Sequence, residues 1–259
     1  MEKRNVGEME INRKPFQGVM NIIRFNWHFY VVAFVVLICL VIIGSFLPST
    51  LQTIINIMII LSTASVIISL AVSYYIYDLS GLYKLRWIQT DKHQSLLNIN
   101  AGFDETSELI KQKCPYSELS ICDFYNPRLH TEVSIKRARE AYPPYPGTIS
   151  AETNYLPFQD ETFDQIFAIL AAHEIRDKQE RILFFKQLHR ILKPHGQIFI
   201  TEHLRDLNNF WVYNIGFMHF HSRKTWLHTF KKAGFIIKGE QKSTPFITTF
   251  ILEVNGNSL

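Results

Sequence analysis

Charged residues are absent from one long stretch of this sequence. Between Trp27 and Ile76 there is no Asp, Glu, Lys or Arg, although the chain of 259 residues carries 27 Lys and Arg and 23 Asp and Glu. Pro48-Ser49-Thr50 divides the stretch into two apolar runs, each long enough to cross a bilayer's hydrocarbon core as a helix. We therefore expect a transmembrane helical hairpin over residues 27–77, the alternative being a helical hairpin buried inside a soluble protein. A cleavable signal peptide fits poorly, because its apolar region would be shorter and nearer the N-terminus.

Cysteine is scarce, and a dense stripe of Lys and Arg is missing. The three cysteines, Cys39, Cys114 and Cys122, do not stand at metal-ligand spacing, and they suit a reducing compartment. The formal net charge is only +4. Without a basic stripe, nucleic acid is not an expected partner, whereas the lipid bilayer is.

The positive charges flank the apolar stretch on both sides. The turn between the two runs contains no basic residue. By the positive-inside rule this distribution predicts a multi-pass protein of the inner, cytoplasmic membrane with both termini in the cytosol. The flanking basic residues are Lys3, Arg4, Arg13, Lys14 and Arg24 before the stretch, and Lys84, Arg86 and Lys92 after it.

The rest of the chain alternates short apolar runs with helical stretches. This alternation favours an α/β domain with a mostly parallel sheet, and the last two strands, joined by a short link, predict an antiparallel edge. Gly234 is typical of the residue that follows a helix. Strands are predicted at 95–100, 119–122, 147–150, 163–170, 197–202, 235–239 and 246–254, and helices at 105–113, 129–141, 178–192 and 222–233.

Three short motifs occur in order within this region. They are NYLPF at 154–158 followed by Phe163-Asp164, LHRILKPHGQ at 188–197, and KAGF at 232–235. From Leu82 to Leu252 the chain resembles class I S-adenosylmethionine-dependent methyltransferases, of the broad type that includes the ubiquinone and menaquinone enzymes. The resemblance implies a Rossmann-like fold and S-adenosylmethionine as the cofactor. We therefore divide the chain into a cytosolic basic segment (1–26), the hairpin (27–77), a juxtamembrane linker (78–94) and a methyltransferase-like domain (95–259).

The same resemblance implies where the cofactor binds. The family's loop after the first strand reads roughly D-x-G-x-G-x-G, and here the corresponding residues 98–104 read NINAGFD, in which one of those glycines remains. Asn98, Asn100 and Gly102 are the expected contacts in this loop. In such enzymes a carboxylate after the second strand accepts the two ribose hydroxyls, and Asp123 has that position. Glu152 corresponds to an acidic residue near the adenine.

Histidines and carboxylates follow several of the predicted strands. Because ligands bind outside the carboxyl ends of parallel strands, we expect these side chains to converge. Histidine is the natural base near neutral pH, so His173, His219 and His221 are the predicted catalytic residues. No metal site is expected, because neither a carboxylate nor a cysteine stands at ligand spacing from His219 and His221.

The segment 208–218, NNFWVYNIGFM, is unusually aromatic for a loop. Together with the hairpin it predicts a lipophilic small-molecule acceptor that is phenolic, quinone-like or a lipid. The alternative is a non-catalytic, methyltransferase-like scaffold that holds the partners of a membrane-bound biosynthetic complex. A nicotinamide enzyme is disfavoured, because the sequence lacks a G-x-G-x-x-G turn.

Overall fold

One seven-stranded sheet organises the domain. The computed structural model describes residues 13–88 and 92–255, and the strands lie in the order β3-β2-β1-β4-β5-β7-β6. The first five pair in parallel, whereas β7 runs antiparallel to both β5 and β6. This confirms the predicted mostly parallel sheet with an antiparallel edge. The strands are β1 (Ser95–Asn100), β2 (Glu118–Asp123), β3 (Ile149–Ser150), β4 (Phe163–Ile169), β5 (Leu192–His203), β6 (Phe235–Thr244) and β7 (Ile247–Val254).

The helices of the domain are amphipathic and bury their apolar faces on the sheet. Phe184, Leu188 and Ile191 recur at helical spacing and are fully buried, as is Trp226 on a neighbouring helix. Side chains of Asp177, Asp206 and Ser222 cap three of the helices. The helices are α3 (Ser107–Lys113), α4 (Val133–Ala141), α5 (Lys178–Ile191), α6 (Leu207–Tyr213) and α7 (Arg223–Lys232).

The order of the strands determines where a ligand can bind. The chain first moves from β1 to β2 and β3 on one side and then returns to β4 on the other side of β1. Ligands in such sheets bind at this reversal, outside the carboxyl ends of the strands. The loops after β1, β2, β4 and β5 therefore form one edge of the sheet, which we call the ligand edge.

The apolar stretch forms two long helices, α1 (Gln17–Gly44) and α2 (Ser49–Tyr74). Both are long and apolar enough to cross a membrane, by length and composition. In the most apolar part of each helix almost no residue is buried. Phe29, Phe34 and Leu61, for example, are each about two-thirds exposed (66%, 64% and 65%). This exposure argues against the alternative of a buried hairpin in a soluble protein.

Helix α1 begins ten residues before the expected start of the hairpin, at Gln17 rather than at residue 27. Its backbone is kinked at Asn26 (φ −113°, ψ 17°). Before the kink, Val19, Asn21 and Phe25 are buried against the domain, and after it the apolar side chains are exposed. Part of the expected basic segment therefore forms the docked start of α1, residues 17–25, and residues 1–12 of that segment lie outside the described ranges.

The expected linker at 78–94 is part of the folded domain over its described residues. Leu82, Tyr83 and Leu85 are buried. The Asp78 carboxylate accepts hydrogen bonds from the amides of Gly18 (2.8 Å) and of Val19 (2.9 Å), and so caps the first turn of α1. These contacts fix the base of the hairpin to the sheet.

Glu105, in the loop after β1, connects the same elements from the other side. Its carboxylate accepts hydrogen bonds from Arg13 (3.1 Å), from the Gln17 amide (3.2 Å) and from the Tyr83 hydroxyl (2.7 Å). The side chain of Glu105 is only 11% exposed. The ligand edge and the hairpin base therefore share one polar connection.

Candidate active site

The loop after β1 is held by its own side chains. The buried Asn98 amide donates to the hydroxyls of Thr106 (3.0 Å) and Ser107 (2.8 Å) at the start of α3. The Asp104 carboxylate accepts from the backbone amides of the same two residues, both at 2.9 Å. Asp104 thus satisfies the first turn of α3, and the amide nitrogen of Asn98, expected to contact the cofactor, serves the loop instead.

Asn100 and Gly102 form the tight turn that the resemblance predicts. Gly102 has φ +88°, a conformation that L side chains rarely adopt. The Asn100 side-chain oxygen, Oδ1, accepts from the Gly102 backbone amide at 2.8 Å. The Asn100 side-chain nitrogen is buried and has no hydrogen-bond partner among the described residues. A free, buried donor at this turn suits a polar ligand.

Asp123 lies at the carboxyl end of β2, as predicted, and is buried. One of its oxygens accepts from the Tyr125 amide (2.8 Å), and the other pairs with Arg139 of α4 at 2.5 Å. A Cβ atom on Gly102 would lie 1.6 Å from a nitrogen of the same guanidinium. Arg139 therefore fills the space between Gly102 and Asp123, where the resemblance places the ribose of the cofactor.

The residues nevertheless fit S-adenosylmethionine once a single side chain moves. The Arg139 side chain is 30% exposed, so it can rotate into solvent and free the Asp123 carboxylate. Glu152 follows β3 and is exposed, beside a backbone bridge to Tyr155. Arg139 was missed in the sequence because it lies on α4, on another element than the loop motif it contacts.

A second cluster lies where β4 and β5 end. The His173 ring donates from Nδ1 to Glu202 (2.7 Å), and the His173 backbone amide donates to the same carboxylate (3.1 Å). Nε2 of His173 lies 3.5 Å from a Glu174 oxygen, and Nε2 of His219 lies 3.9 Å from that oxygen. His219 also lies 3.0 Å from Glu132 through Nδ1. The structure thus brings together His173 and His219, as predicted.

Burial and neighbouring charges shift the pKa values of this cluster in opposite directions. Burial lowers the pKa of His173, but the carboxylates of Glu202 and Glu174 raise it to a net value of about 10. Burial raises the pKa of Glu174, yet hydrogen bonds from His173 and His219 hold it well below its ordinary value. The two carboxylates therefore favour a positive charge at His173.

His221, the third predicted catalytic residue, does not join the cluster. Its Nε2 lies 3.1 Å from Arg181 and 3.2 Å from the Ile175 carbonyl oxygen, and its ring packs edge-on against Trp226. Burial, and after it the charge of Arg181, lower the pKa of His221 to about 3. These contacts hold the His221 ring against Arg181 and the core, and a catalytic role for His221 stays a prediction.

Two carboxylates, those of Glu174 and Glu132, lie close to His219 although they are distant from it along the chain. The sequence places no carboxylate at ligand spacing from His219, yet the fold brings Glu132 and Glu174 to it from the β2–α4 and β4–α5 connections. Asp123 and His173 lie on the same ligand edge, after β2 and β4, the two strands that flank β1. Such an arrangement can hold a cofactor on one side and an acceptor on the other.

Part of the chain is similar in sequence to known methyltransferases. Residues 105–200 match the sequence model of the family described as "Methyltransferase domain". A Homo sapiens protein described as "Probable tRNA methyltransferase 9B" is 35% identical over 79 residues, which are 30% of this chain and 15% of that protein. The chain thus matches only a small part of that relative's length.

Solved structures of low sequence identity are also similar. A SAM-dependent methyltransferase from Aquifex aeolicus is 16% identical, with a TM-score of 0.46 over 61% of this chain and 81% of the other. The structure described as "PigF with SAH" is 16% identical, with a TM-score of 0.48 over 68% of this chain and 60% of the other. The family match over residues 105–200 supports a methyltransferase with S-adenosylmethionine as its cofactor, as the sequence motifs predicted.

Proposed function

We propose that this protein is a membrane-anchored, S-adenosylmethionine-dependent methyltransferase that acts on a lipophilic acceptor, such as a phenolic, quinone-like or lipid molecule. The observation that carries the proposal is the docking of the hairpin base on the ligand edge of the sheet. An enzyme anchored in this way faces the bilayer with the edge at which its ligands bind.

The connection between the hairpin and the ligand edge is direct. Tyr77, just after α2, places its hydroxyl 2.7 Å from Nε2 of His203, the last residue of β5. Nδ1 of His203 lies 3.1 Å from two acceptors, the Asn209 side-chain oxygen and the Phe246 carbonyl, so Nδ1 carries the proton and Nε2 accepts from Tyr77. The preceding residue of β5, Glu202, accepts hydrogen bonds from His173. Two side chains therefore separate the end of α2 from the histidine cluster.

The aromatic segment, expected to be a loop, supports the same proposal. It forms α6 and a 3-10 turn (Asn214–His219), and the Asn214 amide donates to the Ser65 hydroxyl on α2 at 2.6 Å. Ser65 precedes the last residue of α2, Tyr74, by nine residues, about 13 Å along a helix axis. Leu207 and Trp211 on α6 are 75% and 72% exposed. The segment thus lies beside the apolar helix, where it can admit an acceptor from the lipid phase.

The orientation follows from the charges at the hairpin base. Arg13, Arg24 and Lys84 all lie at the end of the hairpin that carries the domain. The positive-inside rule then places the domain and both termini in the cytosol, with the turn at 48–50 on the opposite side.

Each part of the ligand edge has a separate task in this proposal. Asp123, Asn100 and Gly102 hold the cofactor, which when bound supplies an electrophilic methyl group. His173 and His219 orient the acceptor oxygen toward that methyl group, and their catalytic role stays a prediction. Transfer of this kind depends on alignment of the two reactants, so rigid loops at the strand ends are what the reaction needs.

A non-catalytic scaffold is the second candidate function. The observation that favours it is the ion pair of Arg139 with Asp123, which fills the ribose position, in a loop that retains Gly102 alone of the family's glycines. In this case the domain would bind protein partners of a membrane complex and would not bind the cofactor.

Calorimetry on the full chain in detergent separates the two candidates. The enzyme proposal expects micromolar binding of S-adenosylmethionine that Asp123→Ala abolishes. Asp160→Ala is the matched control, since Asp160 is an exposed carboxylate that pairs with Arg190 far from the loop. Absence of binding at millimolar cofactor in folded protein would leave the scaffold as the better account.

The acceptor class is tested with cofactor that carries a radiolabelled methyl group. Label should move into the organic extract when native membrane lipids are supplied, and this transfer should disappear with Asp123→Ala. Transfer to tRNA in place of the organic extract would contradict the lipophilic acceptor.

A further inference from the structure

The cluster after β4 has the composition of a metal site. His173, Glu174 and His219 each present one ligand atom, and the three atoms all lie within 4.8 Å of one another. The two imidazole-to-carboxylate separations, 3.5 and 3.9 Å, are close to the edge of about 3.4 Å expected for a tetrahedron with ligands about 2.1 Å from the ion. Small rotations of the two rings, about their side-chain torsions, close the remaining gap.

His173 is oriented as histidine ligands of metals usually are. Such a histidine generally donates its other ring nitrogen to a carboxylate, which fixes the ring and raises its basicity. Here Nδ1 of His173 lies 2.7 Å from Glu202. Nδ1 of His219 lies 3.0 Å from Glu132 and also contacts the Arg176 guanidinium, so Arg176 shares Glu132 with this ring. In each ring Nε2 is the nitrogen nearer to Glu174.

Charge and hydrogen bonding also point to a cation. Three carboxylates, those of Glu132, Glu174 and Glu202, surround the rings, against the single guanidinium of Arg176 that contacts His219 and Glu132. Glu174 is 5% exposed, and its second oxygen is buried without a hydrogen-bond partner among the described residues. A buried carboxylate oxygen without a partner is costly unless a ligand satisfies it.

We infer that His173, Glu174 and His219 bind one divalent transition-metal ion, with Zn²⁺ as the best-suited species. Two imidazoles and one carboxylate favour zinc over magnesium or calcium, which prefer oxygen ligands alone. Three protein ligands leave a fourth position open, as in catalytic rather than structural zinc sites. A role of that position in binding an acceptor oxygen rests on the proposed function, whereas binding of the ion does not.

The test uses tag-free full chain in detergent, stripped with a chelator and desalted, with neither cofactor nor acceptor present. Co²⁺ is the probe, because its visible absorption reports coordination by nitrogen and oxygen. We expect one Co²⁺ per chain and its displacement by one equivalent of Zn²⁺. Because His219 is on the surface side of the cluster, His219→Ala should fold normally, and its thermal midpoint verifies this.

Three substitutions separate the metal ligands from the other histidines and carboxylates of the chain. His219→Ala should weaken Co²⁺ binding by at least about 100-fold, and Glu202→Gln by about 10- to 100-fold, as is typical when a partner behind a ligand is lost. His228→Ala, which removes an exposed histidine on α7, should bind as the wild type does. Wild-type protein that takes up no stoichiometric Co²⁺, or a folded His219→Ala that keeps wild-type affinity and spectrum, overturns the inference. Cofactor binding measured on the same samples shows separately whether the proposed function holds.

Discussion

Replacing Arg139 by Gln should tighten the binding of S-adenosylmethionine. In the cofactor-free protein the guanidinium pairs with Asp123 at 2.5 Å and packs over the Tyr125 ring at 4.4 Å. Both contacts must be broken before the ribose hydroxyls reach the carboxylate. Glutamine removes the charge and shortens the side chain, so Asp123 is left free to accept them.

The magnitude follows from the exposure of the pair. The Asp123 side chain is 9% exposed, but the Arg139 side chain is 30% exposed, so solvent screens the interaction. Ion pairs of this kind contribute at most about 1 kcal/mol. Releasing that amount corresponds to an increase in affinity of about fivefold. Asp123→Asn should act in the opposite direction and weaken binding at least about tenfold, because charge-assisted hydrogen bonds are worth about 1.5 to 3 kcal/mol.

Titration calorimetry of the full chain in one detergent measures both effects. Arg223→Gln is the control for loss of a positive charge, because Arg223 pairs with Glu240 on the exposed face between α7 and β6. A weaker cofactor affinity in Arg139→Gln would refute the reasoning, since it would mean that the guanidinium holds the cofactor rather than competing with it. Unchanged affinity would mean that Arg139 already points into solvent.

Three further predictions concern stability and reactivity. Gly18→Val should lower the free energy of unfolding by about 1–3 kcal/mol, because a Cβ atom there would lie 2.3 Å from the Tyr77 Cβ. The thermal midpoint measures this loss, and an unchanged midpoint would show that the hairpin base is not tightly docked. Burial lowers the pKa of His203 to about 3, below its value in the unfolded chain, so stability should fall as the pH drops below about 6.5. At pH 5 the free energy of unfolding should be lower by about 2 kcal/mol. The thermal midpoint of His203→Asn should depend less steeply on pH. Burial raises the pKa of the Cys122 thiol to about 12, and so native protein should resist alkylation of this residue at pH 8 until it is unfolded; rapid labelling seen by mass spectrometry would contradict this.

Much of the fold was predictable because its signals are local. The absence of charge from Trp27 to Ile76 reports directly on two long apolar helices, and alternating apolar runs report on the strands and helices of the sheet. The aromatic segment was misjudged as a loop. Its capping residue Asp206 was visible, but seven residues of α6 are too few to display a helical period.

The candidate site was predictable only in part. The positions of Asp123 at a strand end and of Gly102 in a tight turn were predicted from the sequence, whereas their contact with the cofactor stays a prediction. The expected roles of Asn98 and His221 were not supported, since their hydrogen bonds go to Thr106, Ser107 and Arg181. Nothing in the local pattern of either residue distinguishes a ligand contact from a structural one.

The sequence by itself determined most of the strands and helices of the domain, that two helices are apolar enough for a membrane, and which loops lie at the ligand edge. These properties depend on neighbours within one or two turns along the chain. The tertiary structure alone decided that Arg139 meets Asp123, that Glu105 ties α1 to the domain, and that Glu174 lies between two histidines. Each of these contacts joins separate elements, and only the packing of helices on a common sheet determines which side chains meet there.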